Sequence, residues 1–213
     1  MKYDYIIIGA GSAGCVLANR LTENGQNNVA VFEAGKPSDI WKVKMPLALL
    51  YTMHDPKYNW KYYSEPEPHL KNRKLFCPRG KMIGGCSAHN GMVFVRGNRE
   101  DYQRWESFGL KSWSYEKVLP FFKKIENWSG GENKYRGSGG LLPVNQSTNN
   151  NPLFKAFIKS AGEAGYKINP DMNGKDQEGF GMYDVNIDKG ERASVSKHYL
   201  NPAEKRKNLS IST

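Results

Sequence analysis

Apolar and polar positions along the chain fall into short, distinct patterns. Tyr5-Ile6-Ile7-Ile8 is an unbroken, mostly β-branched run, which predicts a strand buried on both faces. A glycine-rich turn follows at residues 9–14. Val16, Leu17 and Leu21 then recur at helical spacing until Asn24-Gly25 stops them. Val29-Ala30-Val31-Phe32 predicts a second buried strand, closed by Glu33. From residue 36 to 76 proline and aromatic punctuation takes over, as in Trp60-Lys61-Tyr62-Tyr63 and Glu65-Pro66-Glu67-Pro68. That predicts a long covering segment with little regular structure, and such segments are usually functional. Residues 101–105 and 115–126 read as helices, the second with Ser114 as N-cap. Residues 130–140 read as a loop and 146–152 as a polar connector. Phe154, Phe157, Ile158 and Ala161 predict a core-packed helix over residues 152–164, with Gly165 at its C-cap. Residues 179–187 alternate like a strand, and the run from Leu209 to Thr213 is strand-like again.

Composition narrows the class. With 213 residues, the chain has room for one large domain, or for one domain and part of another. Its 38% apolar and 12% aromatic content supports a buried core and excludes a disordered chain. The longest apolar run, Met45 to Tyr51, has seven residues, far short of the roughly 18–20 that cross a bilayer. The start, Met1-Lys2-Tyr3-Asp4, enters a strand directly, so no signal peptide is expected. Cys15, Cys77 and Cys86 cannot all pair and lack metal-ligand spacing, which makes a reduced, cytoplasmic protein the expectation. Lys and Arg number 31 against 21 Asp and Glu, a formal charge of +10, but they are spread along the chain. No nucleic-acid-binding signature accompanies them, so the charge reads mainly as solvated surface, with anionic ligands a minor alternative.

The first chemical signal is Gly9-Ala10-Gly11-Ser12-Ala13-Gly14, a Gly-x-Gly-x-x-Gly with a strand before it and a helix after it. Gly9 permits the tight turn, Gly11 lets the backbone approach a pyrophosphate, and Gly14 allows close helix–strand packing. Free N–H groups from Ser12 onward then face a phosphate at the positive end of the helix. Glu33 lies 19 residues beyond Gly14, where a carboxylate accepts hydrogen bonds from the two ribose hydroxyls and repels a 2′-phosphate. An adenosine with an unmodified ribose follows. Whether it belongs to NAD or FAD is not decided by these residues.

The second signal is Pro78-Arg79-Gly80-Lys81-Met82-Ile83-Gly84-Gly85-Cys86-Ser87-Ala88-His89-Asn90-Gly91-Met92-Val93. The Gly84-Gly85 pair marks a second place where backbone approaches something closely. Main-chain N–H groups there could meet a flat, electron-accepting ring, with Arg79 and Lys81 supplying positive charge nearby. With this stretch the sequence resembles the glucose–methanol–choline (GMC) family of flavin oxidoreductases, nearest to the choline dehydrogenases. The likeness covers nearly the whole chain. It takes in residues 3–14 with Glu33-Ala34-Gly35, Tyr58-Asn59-Trp60, residues 78–97 and Asp101-Tyr102-Gln103-Arg104-Trp105. It continues through Arg136-Gly137-Ser138-Gly139-Gly140, Arg192-Ala193-Ser194 and Tyr199-Leu200.

The resemblance implies an α/β, Rossmann-like FAD-binding domain over residues 1–150, incomplete and with its covering loop. Residues 151–213 would begin a second, α+β substrate domain and return to the first. It implies FAD, with Ser12, Ala13, Glu33 and Ala34 on the ADP half, and Gly85 and Asn90, Gly91, Met92 and Val93 near the isoalloxazine. Cys86 and His89 depart from the commonest family pattern. The same Gly-Gly-Cys-Ser-x-His-Asn string is similar to that of choline oxidase, a relative whose matching histidine is bonded covalently to the flavin 8α carbon. His89 is thus expected either to carry that bond or to sit beside the ring without it.

The implied reaction is oxidation of a small-molecule alcohol, choline among them, with a base taking the hydroxyl proton as hydride passes to flavin N5. In the family that base is a histidine near the end of a much longer chain, so the resemblance places it beyond Thr213. His54, His69, His89 and His198 are the four histidines here, and none stands in the matching motif. No catalytic residue is therefore assigned, the chain reads as an N-terminal portion, and little alcohol oxidation is expected of it alone. An NAD-dependent dehydrogenase and a catalytically dead nucleotide-binding module are the rival readings. His69 and Cys77 lack ligand spacing, so no metal site is expected. Cys77 and Cys86 read as packed thiols. Trp41, Trp60, Tyr62 and Tyr63 read first as loop packing and second as an aromatic cage for a choline-like cation. No nucleic acid, membrane or protein partner is indicated.

Overall fold

A computed structural model describes residues 2–213. In chain order its elements begin with β1 (Tyr5–Ile8), α1 (Ser12–Leu21), β2 (Val29–Phe32), α2 (Trp41–Lys44) and α3 (Leu49–His54). Then come β3 (Tyr62–Tyr63), β4 (Phe76–Cys77), β5 (Val93–Phe94), α4 (Arg99–Ser107), α5 (Tyr115–Ile125), β6 (Glu126–Trp128) and β7 (Leu142–Gln146). The remainder are α6 (Pro152–Glu163), β8 (Asp184–Val185), β9 (Ile187–Asp188), β10 (Glu191–Arg192), α7 (Asn201–Ala203) and β11 (Leu209–Ser212). They group into two compact units, residues 1–92 with 189–213 and residues 93–188. The second unit straddles residue 150, where the sequence reading divides the chain.

In the first unit β2 is the middle strand of a parallel sheet of order β1-β2-β11. Tyr5 lies opposite Val29, and Leu209 lies opposite Val29 on its other edge. The strand-like run at the end of the sequence is thus β11, which stops at Ser212 and leaves Thr213 exposed just past it. Val29, Ala30 and Val31 are buried, as a central strand requires, each Val contributing roughly 1.5–3 kcal/mol of burial. β1 differs from expectation. Only Ile7 is buried, while Ile6 is 62% and Ile8 81% exposed. The reason is positional: β1 is an edge strand, α1 covers one of its faces through Gly14, and no described element of this unit covers the other. α1 is anchored at its far end by Asn19, whose Nδ2 donates to the Tyr199 carbonyl at 2.7 Å. Arg206 Nη1 adds bonds to Asn19 O (2.5 Å) and Thr22 Oγ1 (2.9 Å).

The covering segment carries more structure than its sequence suggests. It forms α2, a 3-10 turn at Pro46–Ala48, α3, and β3 paired antiparallel with β4. Val43, Tyr58, Met82 and Ala88 form a small buried cluster with Ile40 packed against it. Asn59 ties the segment down: its Nδ2 donates to Met53 O, and its Oδ1 accepts from Lys61 N and Arg79 N at 2.9 Å each. The rings pair along the segment, Trp41 with Tyr51, Trp60 with Tyr62 and Tyr63 with Phe76.

The second unit holds a sheet of order β5-β8-β7-β6. α4 starts earlier than expected because Asn98 caps it, its side chain accepting from Glu100 N. Ser114 occupies the N-cap of α5, without a side-chain cap bond, and the helix ends at Ile125 because Glu126 opens β6. The strand expected over residues 179–187 shrinks to β8 and the first residue of β9. Gly179 takes φ +129° and residues 179–183 stay irregular. α6 is not the core helix that its spacing implies. Ala161 alone is fully buried, Phe154 and Ile158 are half-buried, and Leu153 and Phe157 are exposed, with the Phe157 ring 5.6 Å from that of Phe180.

What the second unit buries instead is charge. Glu126, completely buried, receives Arg96 Nη2 and the Arg136 guanidinium, and accepts from Gly137 N at 2.7 Å. Arg136, also completely buried, pairs further with Asp171 at 2.6 Å and Asp184 at 2.8 Å and lies 4.1 Å from the Trp128 ring centroid. This joins β6, β8 and three loops through one connected network.

Candidate cofactor-binding site

The fingerprint folds as its spacing requires. Gly9 turns the chain out of β1 at φ +95°, with its N–H held by Phe32 O at 2.7 Å. α1 then begins behind Gly11, which supplies no side-chain cap, so the first N–H groups of the helix stay available. Ser12 and Ala13 are exposed, while Gly14 is buried against the strand. A Cβ on Gly14 would lie 2.0 Å from Gly9 O, so only glycine fits there. Glu33, at the end of β2, bridges the two loops of the motif: Oε2 accepts from Ala10 N and Oε1 from Gly35 N, both at 2.8 Å. Each oxygen keeps a lone pair for a further donor. Ala34 beside it is exposed.

The second glycine cluster lies directly on the first. Gly84 N donates to Ala10 O at 2.7 Å, and a Cβ on Gly85 would come within 2.9 Å of Gly11 Cα. Both glycines have positive φ, +88° and +52°, which a side chain rarely adopts. Residues 58–60 of the covering segment run antiparallel to residues 79–81, with Trp60 N bonded to Arg79 O at 2.9 Å and Lys81 N to Tyr58 O at 2.8 Å. Lys81 Nζ sits over the Trp60 ring at 4.8 Å.

The Gly85–Ala88 3-10 turn leads to His89, which is 3% exposed with a buried Nδ1 that has no hydrogen-bond partner. Burial, and then the positive charges of Arg192 and Arg79, push its pKa below the ordinary 6.5, so the imidazole is neutral at pH 7. Asn90 and Gly91 are exposed beyond it, and Asn90 Oδ1 accepts from Met92 N at 3.0 Å. Met92 takes φ +60°, a strained conformation for a side-chain-bearing residue. Val93 follows as the first residue of β5.

The structure therefore brings together Gly9, Gly11, Ser12, Ala13, Gly14, Glu33, Gly84 and Gly85 in one bonded assembly. His89, Asn90, Gly91 and Met92 continue from it along the chain. Arg79 is held by its backbone to the covering segment, and its exposed side chain turns back to Pro78 O at 2.8 Å. Two cysteine expectations change. Cys86 is exposed rather than packed, because the 3-10 turn points it outward, where it accepts from Gly80 N at 3.5 Å. Cys77 is half-buried, and Cys15 is the packed thiol, raised by burial to about 12. No cluster of metal-binding side chains occurs, and no helix is long and apolar enough to cross a membrane, among the described residues.

One buried group has no forewarning in the sequence beyond its place in a matching motif. Arg192 is 2% exposed, and its hydrogen-bond acceptors are all neutral. Nothing local in Glu191-Arg192-Ala193 distinguishes it from a solvated arginine.

Residues 3–213 match the model of the GMC oxidoreductase family. Among curated proteins, the oxygen-dependent choline dehydrogenase of Rhizobium etli (strain CIAT 652) is 49% identical over 211 residues, 99% of this chain and 38% of the relative. That of Vibrio vulnificus (strain YJ016) is 48% identical, over 98% of this chain and 38% of the relative. Among solved structures, pyridoxine 4-oxidase from Mesorbium loti superposes with a TM-score of 0.92 at 31% identity, over 99% of this chain and 42% of that one. An FAD-dependent oxidoreductase from Chaetomium thermophilum gives a TM-score of 0.87 at 27% identity, over 99% of this chain and 38% of its own. The chain thus spans 38% of the length of these curated relatives.

Proposed function

Because the chain belongs to the GMC oxidoreductase family, we propose that it is the FAD-binding, N-terminal portion of an enzyme that oxidises the CH–OH group of a small alcohol, choline being the favoured substrate. The observation that carries this reading is the seating of the Gly84-Gly85 turn on the fingerprint loop, with Gly84 N bonded to Ala10 O at 2.7 Å. A dinucleotide site needs only the first loop. A flavin needs a second backbone surface continuous with it, and residues 84–92 supply one.

On this reading the exposed N-terminus of α1, at Ser12 and Ala13, binds the pyrophosphate. Glu33 accepts from the ribose hydroxyls with the lone pairs left over from Ala10 N and Gly35 N. Gly85, Asn90, Gly91, Met92 and Val93 face the ring system, and the strained Met92 backbone is kept because it orients that surface. FAD, when bound, supplies the hydride acceptor. No residue of this chain is assigned as the base that takes the alcohol proton, and the chain spans 38% of the length of the choline dehydrogenases that it matches. The orphaned Nδ1 and neutral state of His89 suit a residue turned toward a ring, and neutrality is also what a covalent bond to the flavin 8α carbon requires. Residues 189–213 act as the return into the cofactor-binding domain. Choline follows from the choline dehydrogenase relatives. Trp60 and Tyr62 stack on each other and Lys81 Nζ lies over the Trp60 ring, so these rings read as loop packing rather than as a cage for the ammonium.

The test is ligand binding by the chain itself. Titration with FAD, followed by flavin absorbance near about 450 nm and by fluorescence quenching, is expected to saturate, whereas NAD is not expected to bind. Saturable NAD binding without FAD binding overturns the reading. After acid precipitation, yellow colour in the pellet establishes the covalent bond at His89, and colour wholly in the supernatant removes it.

A further inference from the structure

Arg192 is a buried cation without a counter-charge among its hydrogen-bond partners. Its Nε donates to Val43 O at 3.1 Å, and its Nη1 to Asn90 O at 2.7 Å, Asn90 Oδ1 at 2.9 Å and Ser87 O at 3.5 Å. Nη2 is buried with no partner. Burial alone depresses its pKa to about 10, so it still carries its charge at pH 7. Placing such a group inside a protein costs several kcal/mol unless it is paired and hydrogen-bonded, and here only neutral acceptors offset that cost.

What it touches suggests the need. Three acceptors belong to the Ser87–Asn90 stretch, which flanks His89 on both sides, and the fourth belongs to α2 of the covering segment. The neighbouring residues press on the same stretch. Val195 N donates to Ser87 Oγ at 3.1 Å, Ser87 Oγ donates to Gly84 O at 2.6 Å, and a Cβ on Gly84 would meet Ser196 Oγ at 2.7 Å. Asn90 Oδ1, shared between Arg192 and Met92 N, passes the constraint on to the strained Met92 backbone.

We propose that Arg192 is the positioning residue of the ring-facing loop: its guanidinium fixes residues 87–90 from behind, and its positive charge adds to burial in disfavouring protonation of the intervening His89 imidazole, which suits contact with the cofactor. A planar fork reaching two chain segments at once is needed for this, and a lysine cannot provide it. The charged groups acting on His89 are Arg192 and Arg79, both positive, so both act in the same direction. The inference rests on the FAD reading of the site only for its second clause, since the loop contacts hold without any ligand.

The test compares R192M and R192K with the parent 213-residue chain. The His89 imidazole is followed by 15N NMR titration without FAD, and FAD affinity is followed by flavin fluorescence. In R192M His89 is expected to titrate at a higher pH than in the parent, and FAD affinity to fall about tenfold or more. R192K, which keeps the charge and loses the fork, should restore the low His89 titration but not the affinity. An Arg192 of purely structural importance would lower the melting temperature of R192M and leave the His89 titration where it was, and that pattern overturns the proposal. If R192M fails to fold, an R192K affinity equal to the parent's overturns it. A parent chain that binds no FAD refutes the functional reading instead, while the His89 titration still decides the role of Arg192.

Discussion

Replacing Gly14 by alanine tests whether the close approach of α1 to β1 is what presents the helix N-terminus. The added Cβ would stand 2.0 Å from Gly9 O, where real Cβ atoms keep at least 3.0 Å, so something must move by about 1 Å. Gly9 cannot yield easily, because its N–H is bonded to Phe32 O at 2.7 Å and its φ of +95° is fixed by the turn. Ile7 Cγ2, at 3.3 Å from the same Cβ, blocks a sideways tilt. The relief left is retreat of the first turn of α1, which withdraws the Ser12 and Ala13 N–H groups from a bound phosphate. Overpacking of this kind costs about 1–3 kcal/mol, or roughly 2–12 °C of melting temperature for a chain of this size. FAD affinity is expected to fall by about tenfold through the lost charge-assisted hydrogen bonds. Gly11→Ala is the control, since its Cβ would meet nothing within 4 Å. It should leave the melting temperature unchanged and still weaken FAD binding, because only the ligand approaches there. Thermal denaturation and fluorescence titration on both variants separate packing from ligand access. Equal melting temperatures for G14A and parent, or equal losses for G14A and G11A, would refute the reasoning.

Two further outcomes follow from buried charge. Glu126→Gln leaves Arg96 and Arg136 buried with only Asp171 and Asp184 to compensate, and should destabilise the chain by about 3–5 kcal/mol in urea denaturation. A loss below about 1 kcal/mol would show that the network relaxes around the neutral side chain. Because His89 is neutral in the folded chain and its pKa lies below the ordinary 6.5, its contribution to stability is whole above pH 6.5 and is lost as pH falls toward the folded value. Between about pH 8 and 5, stability should therefore decline more steeply in the parent than in His89→Asn, by up to about 1.4 kcal/mol per pH unit. Parallel curves would assign the acid sensitivity to other groups.

The fingerprint was legible because each of its residues answers a local demand. A tight turn, a backbone approach and a helix–strand contact leave glycine as the residue that fits, and the strand and helix around Gly9, Gly11 and Gly14 declare themselves by periodicity. Glu33 was legible in position, but its two bonds to Ala10 N and Gly35 N were not, since they link residues that meet only once β1 and β2 pair. β1 and α6 show the opposite failure. An apolar run or stripe states that a surface prefers burial, yet Ile6, Ile8, Leu153 and Phe157 remain exposed because no described element within their own unit covers them.

By itself the sequence determined the βαβ start, the glycine fingerprint between its first strand and helix, and through residues 78–93 the family to which the chain belongs. Tertiary structure alone decided that Gly84 and Gly85 rest on Ala10 and Gly11, that Cys86 points outward, and that an arginine at 192 stands behind a histidine at 89. The physical reason is that propensity and periodicity are properties of neighbours in the chain. Burial of a charge is a property of neighbours in space, and 102 residues separate Arg192 from the Asn90 that it holds.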